Sequence, residues 1–201
     1  MTNNKELFMK WMQNLFYVQC ASLVASLISQ LPFIGSWFSW VARLITIATI
    51  VILFKLIPLN ERYRKAVIFM TVSVVSTLFL SKVGIALFIG GICTWIGTYQ
   101  EYIGHSELIS VADEKLSKQW RSLFNWKIWG ALGVALIVTA VAMTLSMTGV
   151  LEELVAVLIP GMVMDVYYIV LQAVYLVLLK RMLTVYANYE LQPETEIVEE
   201  V

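Results

Sequence analysis

The chain has 201 residues, 60% of them hydrophobic and 14% charged, and a formal net charge of zero. Soluble domains carry about 25% charged and about 45–50% apolar residues, and a small soluble core cannot hide so apolar a chain from water. No basic cluster is dense enough for nucleic acid, so the expected medium is lipid. A mean hydropathy of +0.79 points the same way. So do seven Trp and nine Tyr, residue types that collect at membrane interfaces.

Residues 1–14 place Leu7, Phe8, Trp11 and Met12 at helical spacing, with Lys5, Glu6, Lys10 and Gln13 elsewhere. This predicts an interfacial helix feeding a first span. A cleaved signal peptide is not expected, because Gln19, Ser22, Ser26 and Ser29 interrupt the apolar run and no small-residue cleavage site follows.

A helix needs about 20 apolar residues to cross a hydrocarbon core of about 30 Å. Six stretches meet or approach this, at 15–31, 37–57, 66–80, 83–102, 128–151 and 154–179. The third is short, with Lys65 and Lys82 placed to snorkel at its ends. Only Ser81-Lys82 separates it from the fourth, which predicts a tight hairpin or, alternatively, a re-entrant pair. Pro32 with Gly35, Pro58 with Asn60-Glu61-Arg62, and Gly149 with Glu152-Glu153 punctuate other breaks.

Between the fourth and fifth spans, residues 106–124 put Leu108, Val111, Ala112, Leu116, Trp120 and Leu123 on one helical face. This predicts an amphipathic helix lying on the cytoplasmic leaflet, with Leu116 and Trp120 as candidates for docking a partner. Ser110 and Asp113 have capping-box spacing, and Glu114 and Lys118 can pair at i, i+4. The C-terminal residues 188–201 read as an acidic, solvated tail, with four Glu and no basic residue from Gln192 onward.

Alternating the segments across a bilayer puts twelve of the fourteen Lys and Arg on one side, leaving only Lys82 and Arg43 toward the other. That is the positive-inside pattern, and it predicts both termini in the cytoplasm. The expected fold class is an all-α, polytopic membrane helix bundle of about six transmembrane helices plus the amphipathic cytoplasmic helix. A cell membrane is the expected location, and the compact loops suit a bacterial inner membrane.

Five residues stand out as candidates for ligand binding or gating. Arg43 and Asp165 are opposite charges inside apolar runs, and such charges are costly in lipid unless paired or facing water. If the sixth helix effectively begins at Pro160, the two lie at similar depth, about 8–9 Å in at 1.5 Å per residue. The structural alternative is an interhelical ion pair, or snorkelling of Arg43. Asp165, Tyr168, Gln172 and Tyr175 follow i, i+3, i+7, i+10, a polar stripe of the kind transporters use for midplane sites. The structural alternative is interhelical hydrogen bonding.

Small residues form further stripes, among them Ala21 and Ala25, Gly90 with Thr94 and Thr98, and Ala131 with Ala135 and Thr139, whose spacing favours close helix packing. Cys20 and Cys93 lie in apolar runs and read as reduced, buried residues. His105 is the lone histidine; with Glu101 and Glu107 it sits at the end of the fourth span, where a surface position is expected. No metal set, cofactor motif or catalytic constellation can be assembled, so the chain is expected not to be an enzyme and to hold no cofactor. The first expectation is a membrane subunit that packs with or regulates a membrane-protein partner or a second copy of itself. The alternative is a small-solute transporter, or a substrate-binding membrane component, with a polar site between the second and sixth spans.

Overall fold

The computed structural model describes residues 2–29, 35–79, 83–149 and 153–189. These form seven α-helices and no strand: α1 (Thr2–Ser29), α2 (Gly35–Leu56), α3 (Glu61–Phe79), α4 (Gly84–Ser110), α5 (Glu114–Asn125), α6 (Ala131–Met147) and α7 (Glu153–Asn188). A 3₁₀ turn at Ile57–Leu59 carries Pro58 between α2 and α3, and a π-helical segment at Trp126–Gly130 joins α5 to α6. The breaks expected at Pro32, Ser81-Lys82 and Glu152, and the tail from Gln192, lie outside the described residues.

The helices close into a ring. α1 packs on α2 and α7, α2 on α3, α3 on α4, α4 on α5, and α5 on α7, while α6 lies outside against α7. The α3–α4 contact is the most extensive, and three glycines spaced seven apart build it. A β-carbon added at Gly90 would stand 3.0 Å from Cβ of Ser76, at Gly97 2.8 Å from Cγ of Met70, and at Gly104 3.0 Å from the Tyr63 ring. The pairs run in opposite directions along the two helices, so α3 and α4 are an antiparallel hairpin packed face to face. Small residues let backbones approach this closely where dispersion, not water, drives the contact. The small-residue stripe on the fourth segment therefore serves internal packing, although Gly91, beside it, meets nothing.

Polarity is distributed inside out. Phe88, Trp95, Leu136 and Ile137 are exposed, whereas Glu101, His105, Ser106 and Ser117 are buried. Among the described residues, three stretches are long and apolar enough to cross a membrane: Trp40–Leu59, Glu114–Met147 and Leu158–Asn188. That is fewer than the six expected. At 28, 19 and 27 residues, α1, α3 and α4 have the length to span, at 1.5 Å of rise per residue. Their apolarity is diluted by residues such as Gln19, Ser73, Thr94, Thr98 and Glu101, all of which line one partly open cavity.

Several expected boundaries move. The described parts of the N-terminal segment and the first span are one helix, Thr2–Ser29, and its Phe8, Met12 and Leu15 are buried in the bundle rather than lying along an interface. Phe8 stacks on Tyr186 at 3.9 Å between ring centroids, and Lys5 Nζ donates to the carbonyls of Ala187 at 2.9 Å and Tyr189 at 3.1 Å. The start of α1 is thereby fastened to the end of α7. Residues 106–124 are not a single helix either: α4 continues through Ser110, the chain turns at Val111-Ala112, and α5 begins after Asp113. Asp113 itself is the N-cap, its side chain accepting from the Leu116 amide at 2.8 Å, while Ser110 donates to the Glu107 carbonyl instead of forming a capping box. The Glu114–Lys118 pair forms at 2.8 Å on the exposed face. α7 runs through Pro160 without starting there.

Candidate functional site

The polar stripe of α7 meets polar residues from five other parts of the fold. Gln172 donates through Nε2 to Oε1 of Gln19 on α1 at 2.8 Å, and Gln19 donates in turn to the Thr49 hydroxyl on α2 at 3.3 Å. Across the bundle, the hydroxyls of Ser73 and Thr94 lie 2.5 Å apart. Thr94 already donates to the Gly90 carbonyl, so Ser73 is the donor between them. These groups border a cavity of about 210 Å³, whose wall also includes Thr98 and Glu101 of α4, Lys127 of the π segment and Tyr175. A second cavity of about 180 Å³ shares Thr94, Thr98 and Lys127 and reaches Tyr168.

Lys127 owes its place to the π segment. A π turn carries an extra residue, rotating the side chains after it and leaving carbonyls in need of donors; such turns recur at functional sites. Here the Tyr167 hydroxyl on α7 donates to the Trp126 carbonyl at 2.6 Å. A β-carbon at Gly130 would collide with that same hydroxyl. Lys127 Nζ lies 5.4 Å from the centre of the Tyr102 ring.

One end of the cavity is closed by a buried chain of hydrogen bonds. Tyr175 donates to Glu101 Oε1 at 2.7 Å, so the Tyr175 oxygen is left to accept from Nε2 of His105 at 3.2 Å. On its other side, Nδ1 of His105 is hydrogen-bonded to the Tyr63 hydroxyl at 2.7 Å. An ionised carboxylate only accepts, which makes Tyr175 the donor to Glu101 and Nε2 of His105 the donor to Tyr175. His105 also lies 3.6 Å from Glu101 Oε1 through Nε2. Nearby, Arg62 on α3 pairs with Glu107 at 3.0 Å, and Asn60 donates to the same carboxylate at 3.1 Å.

The structure redistributes the candidates drawn from sequence. Gln172 and Tyr175 line the cavity, and Tyr168 lines its neighbour. Arg43 and Asp165 do not pair. Arg43 lies over the Trp40 ring at 4.7 Å, and Asp165 is exposed without an ion-pair partner among the described residues. Two physical reasons account for this. α1 stands between α2 and α7, and α7 begins at Glu153, about two turns before Pro160, so the depth estimate does not hold.

Leu116 and Trp120 are fully buried, so they are not a docking surface. The apolar face of α5 packs into the bundle, where the Trp120 ring lies 4.7 Å from His105 and 5.1 Å from Tyr175 between centroids. Its Nε1–H is buried without a hydrogen-bond partner. His105 is at 0% exposure, so the surface position expected for it is also corrected. It is buried because α4 extends past residue 102 and α5 folds back over that extension.

The sequence alone marks Glu101 only as a neighbour of His105 and Lys127 only as a topological charge. A usable signal is present, since Thr94, Thr98, Glu101 and His105 follow i, i+4, i+7, i+11 and so share one face of α4. Among the described residues no group of three His, Cys, Asp or Glu can hold a metal. Both cysteines are free. The arrangement offers small-molecule recognition: a carboxylate, an ammonium and several hydroxyls and amides turned toward one small space. No protein-family model matches this chain, and no curated protein and no solved structure matches it.

Proposed function

We propose that this chain is a membrane-embedded binding component for a small polar solute, with its site in the cavity bounded by α1, α2, α3, α4 and α7. The observation that carries the reading is the polar cavity inside a bundle whose outside is apolar. Lipid accounts for the exposed Phe88, Trp95, Leu136 and Ile137, and a solute accounts for polar groups that lipid would exclude. The volume of about 210 Å³ falls below the roughly 300–1,000 Å³ of pockets for drug-sized ligands, so the solute is small.

In this reading α1, α2, α3, α4, α6 and α7 span a cell membrane, and α5 covers the basic end of the bundle. The contact between Lys5 and the end of α7 supports placing both termini on one side, and the Lys and Arg distribution supports the cytoplasm. The chain has no catalytic role in this scheme. The first expectation, a subunit that packs with a partner, rests on the 106–124 helix and on the small-residue faces; of these, Leu116 and Trp120 are used inside the bundle.

Native mass spectrometry of the detergent-purified chain tests the proposal. A small polar adduct is expected on the native protein and should be lost from Thr98→Phe, which fills the cavity. A folded, adduct-free native protein together with unchanged behaviour of Thr98→Phe removes the reading. Recovery of the chain in a detergent-free supernatant removes the membrane placement.

A further inference from the structure

We infer that the solute is a small zwitterion, a single molecule carrying one anionic and one cationic group. The inference rests on the solute-binding reading above and names the class of ligand.

The neutral groups of the wall are largely spent on one another. Gln172, Gln19 and Thr49 form one hydrogen-bonded series, Thr49 also donates to the Ile45 carbonyl, and Ser73 and Thr94 form another. A sugar or polyol would have to break these bonds to gain its own. The charged groups keep more free capacity, although Oε1 of Glu101 also lies 3.6 Å from Nε2 of His105. Glu101 accepts from Tyr175 at Oε1, and no described residue donates a hydrogen bond to its Oε2. The Lys127 ammonium has no hydrogen bond or ion pair among the described residues. Both line the same cavity, yet they are not in ion-pair contact with each other.

Charges held away from bulk water are stable only when complemented, and a direct pair would be the simplest complement. Because Glu101 and Lys127 stand apart, the complement that satisfies both is a molecule between them, its carboxylate toward Lys127 and its ammonium toward Glu101. Such a ligand adds no net charge to a weakly polar interior. A lone anion would gain Lys127 but face the Glu101 carboxylate, and a lone cation would gain Glu101 but face the Lys127 ammonium. Thr98, which lines the cavity beside them and makes no hydrogen bond among the described residues, is free to assist either end.

The test uses the full chain in detergent and follows its unfolding temperature during titration with five probes: β-alanine, γ-aminobutyrate, propionate, propylammonium and 1,2-propanediol. A ligand that binds the folded state raises that temperature in a saturable way. β-Alanine or γ-aminobutyrate is expected to bind at least about tenfold more tightly than the other three, as hydrogen bonds to charged groups allow. Lys127→Met should weaken the zwitterion by about tenfold or more and improve propylammonium. Glu101→Gln should weaken the zwitterion and improve propionate. This exchange of preference is one that loss of folding cannot imitate, and Lys127→Met decides alone if Glu101→Gln does not fold. Equal or tighter binding of propanediol, unaffected by Lys127→Met, overturns the inference and leaves the solute-binding reading standing. Preferred binding of propionate or propylammonium by the native protein overturns it too. No saturable shift with any probe also overturns it, and the solute-binding reading falls as well only if native mass spectrometry finds no bound small molecule.

Discussion

Tyr175 donates its hydroxyl to Glu101 at 2.7 Å, and with its contact to His105 at 3.2 Å this bond fastens α7 to α4 at the edge of the cavity. Both side chains are buried, so neither can exchange the bond for one to bulk water. Tyr175→Phe keeps the ring and removes the hydroxyl, leaving the carboxylate and the His105 Nε2–H without their shared partner. The expected loss is about 1–3 kcal/mol, the usual cost of stranding buried polar groups, read as a lower unfolding midpoint in detergent. A midpoint equal to that of the native chain would contradict the hydrogen-bond series.

The glycine seam between α3 and α4 makes a paired prediction. Gly97→Ala places a β-carbon 2.8 Å from Cγ of Met70 and 3.2 Å from its backbone nitrogen, so the helices must separate. Overpacking of this kind costs about 1–3 kcal/mol. Gly91→Ala meets nothing within contact distance and gains the helix propensity of alanine, worth up to about 1 kcal/mol. Thermal unfolding of the two variants should therefore move in opposite directions, and matching shifts would mean the α4 face is misassigned.

Trp120 separates a packing role from a docking role. Trp120→Ala should cost about 3–5 kcal/mol, because a fully buried ring leaves a large void among His105, Tyr175 and Tyr102. Trp120→Phe keeps much of the ring contact and removes the unpartnered Nε1–H, so its loss should be far smaller. Equal losses for the two would show that the ring is not packed as described. A Trp120→Ala chain as stable as the native one would return Trp120 to the surface.

Arg43 and Asp165 should behave independently. A double-mutant cycle on Arg43→Met and Asp165→Asn is expected to give a coupling below about 0.5 kcal/mol, as for residues without shared partners. The cycle on Arg43→Met and Trp40→Leu should give about 0.5–1 kcal/mol, the range for an exposed cation over an aromatic ring. A larger Arg43–Asp165 coupling would restore the charge pair.

The polar face of α4 was half legible. Periodicity alone aligns Thr94, Thr98, Glu101 and His105, and aligns Tyr168, Gln172 and Tyr175 on α7. What no periodicity states is where each helix stops. Ending α4 at residue 102 puts His105 in a loop and therefore at the surface. Running α4 to Ser110 puts it under Trp120. Likewise, starting the last helix at Pro160 brings Asp165 level with Arg43, and starting it at Glu153 does not.

Composition and local pattern were enough to establish that the chain is helical, where most of its helices lie and that several are long and apolar. Those properties depend on each residue and its neighbours within a few turns, which a linear string records in full. The ring order of the helices and their axial registers decided the rest. They separate Arg43 from Asp165 by an intervening α1, bury Leu116, Trp120 and His105, and bring Glu101 and Lys127 to one cavity. A helix repeating every 3.6 residues determines which side chains share its face, but not which other helix that face will meet. The meeting is settled by packing across the whole bundle, through contacts such as the Gly90, Gly97 and Gly104 seam and the π turn that carries Lys127.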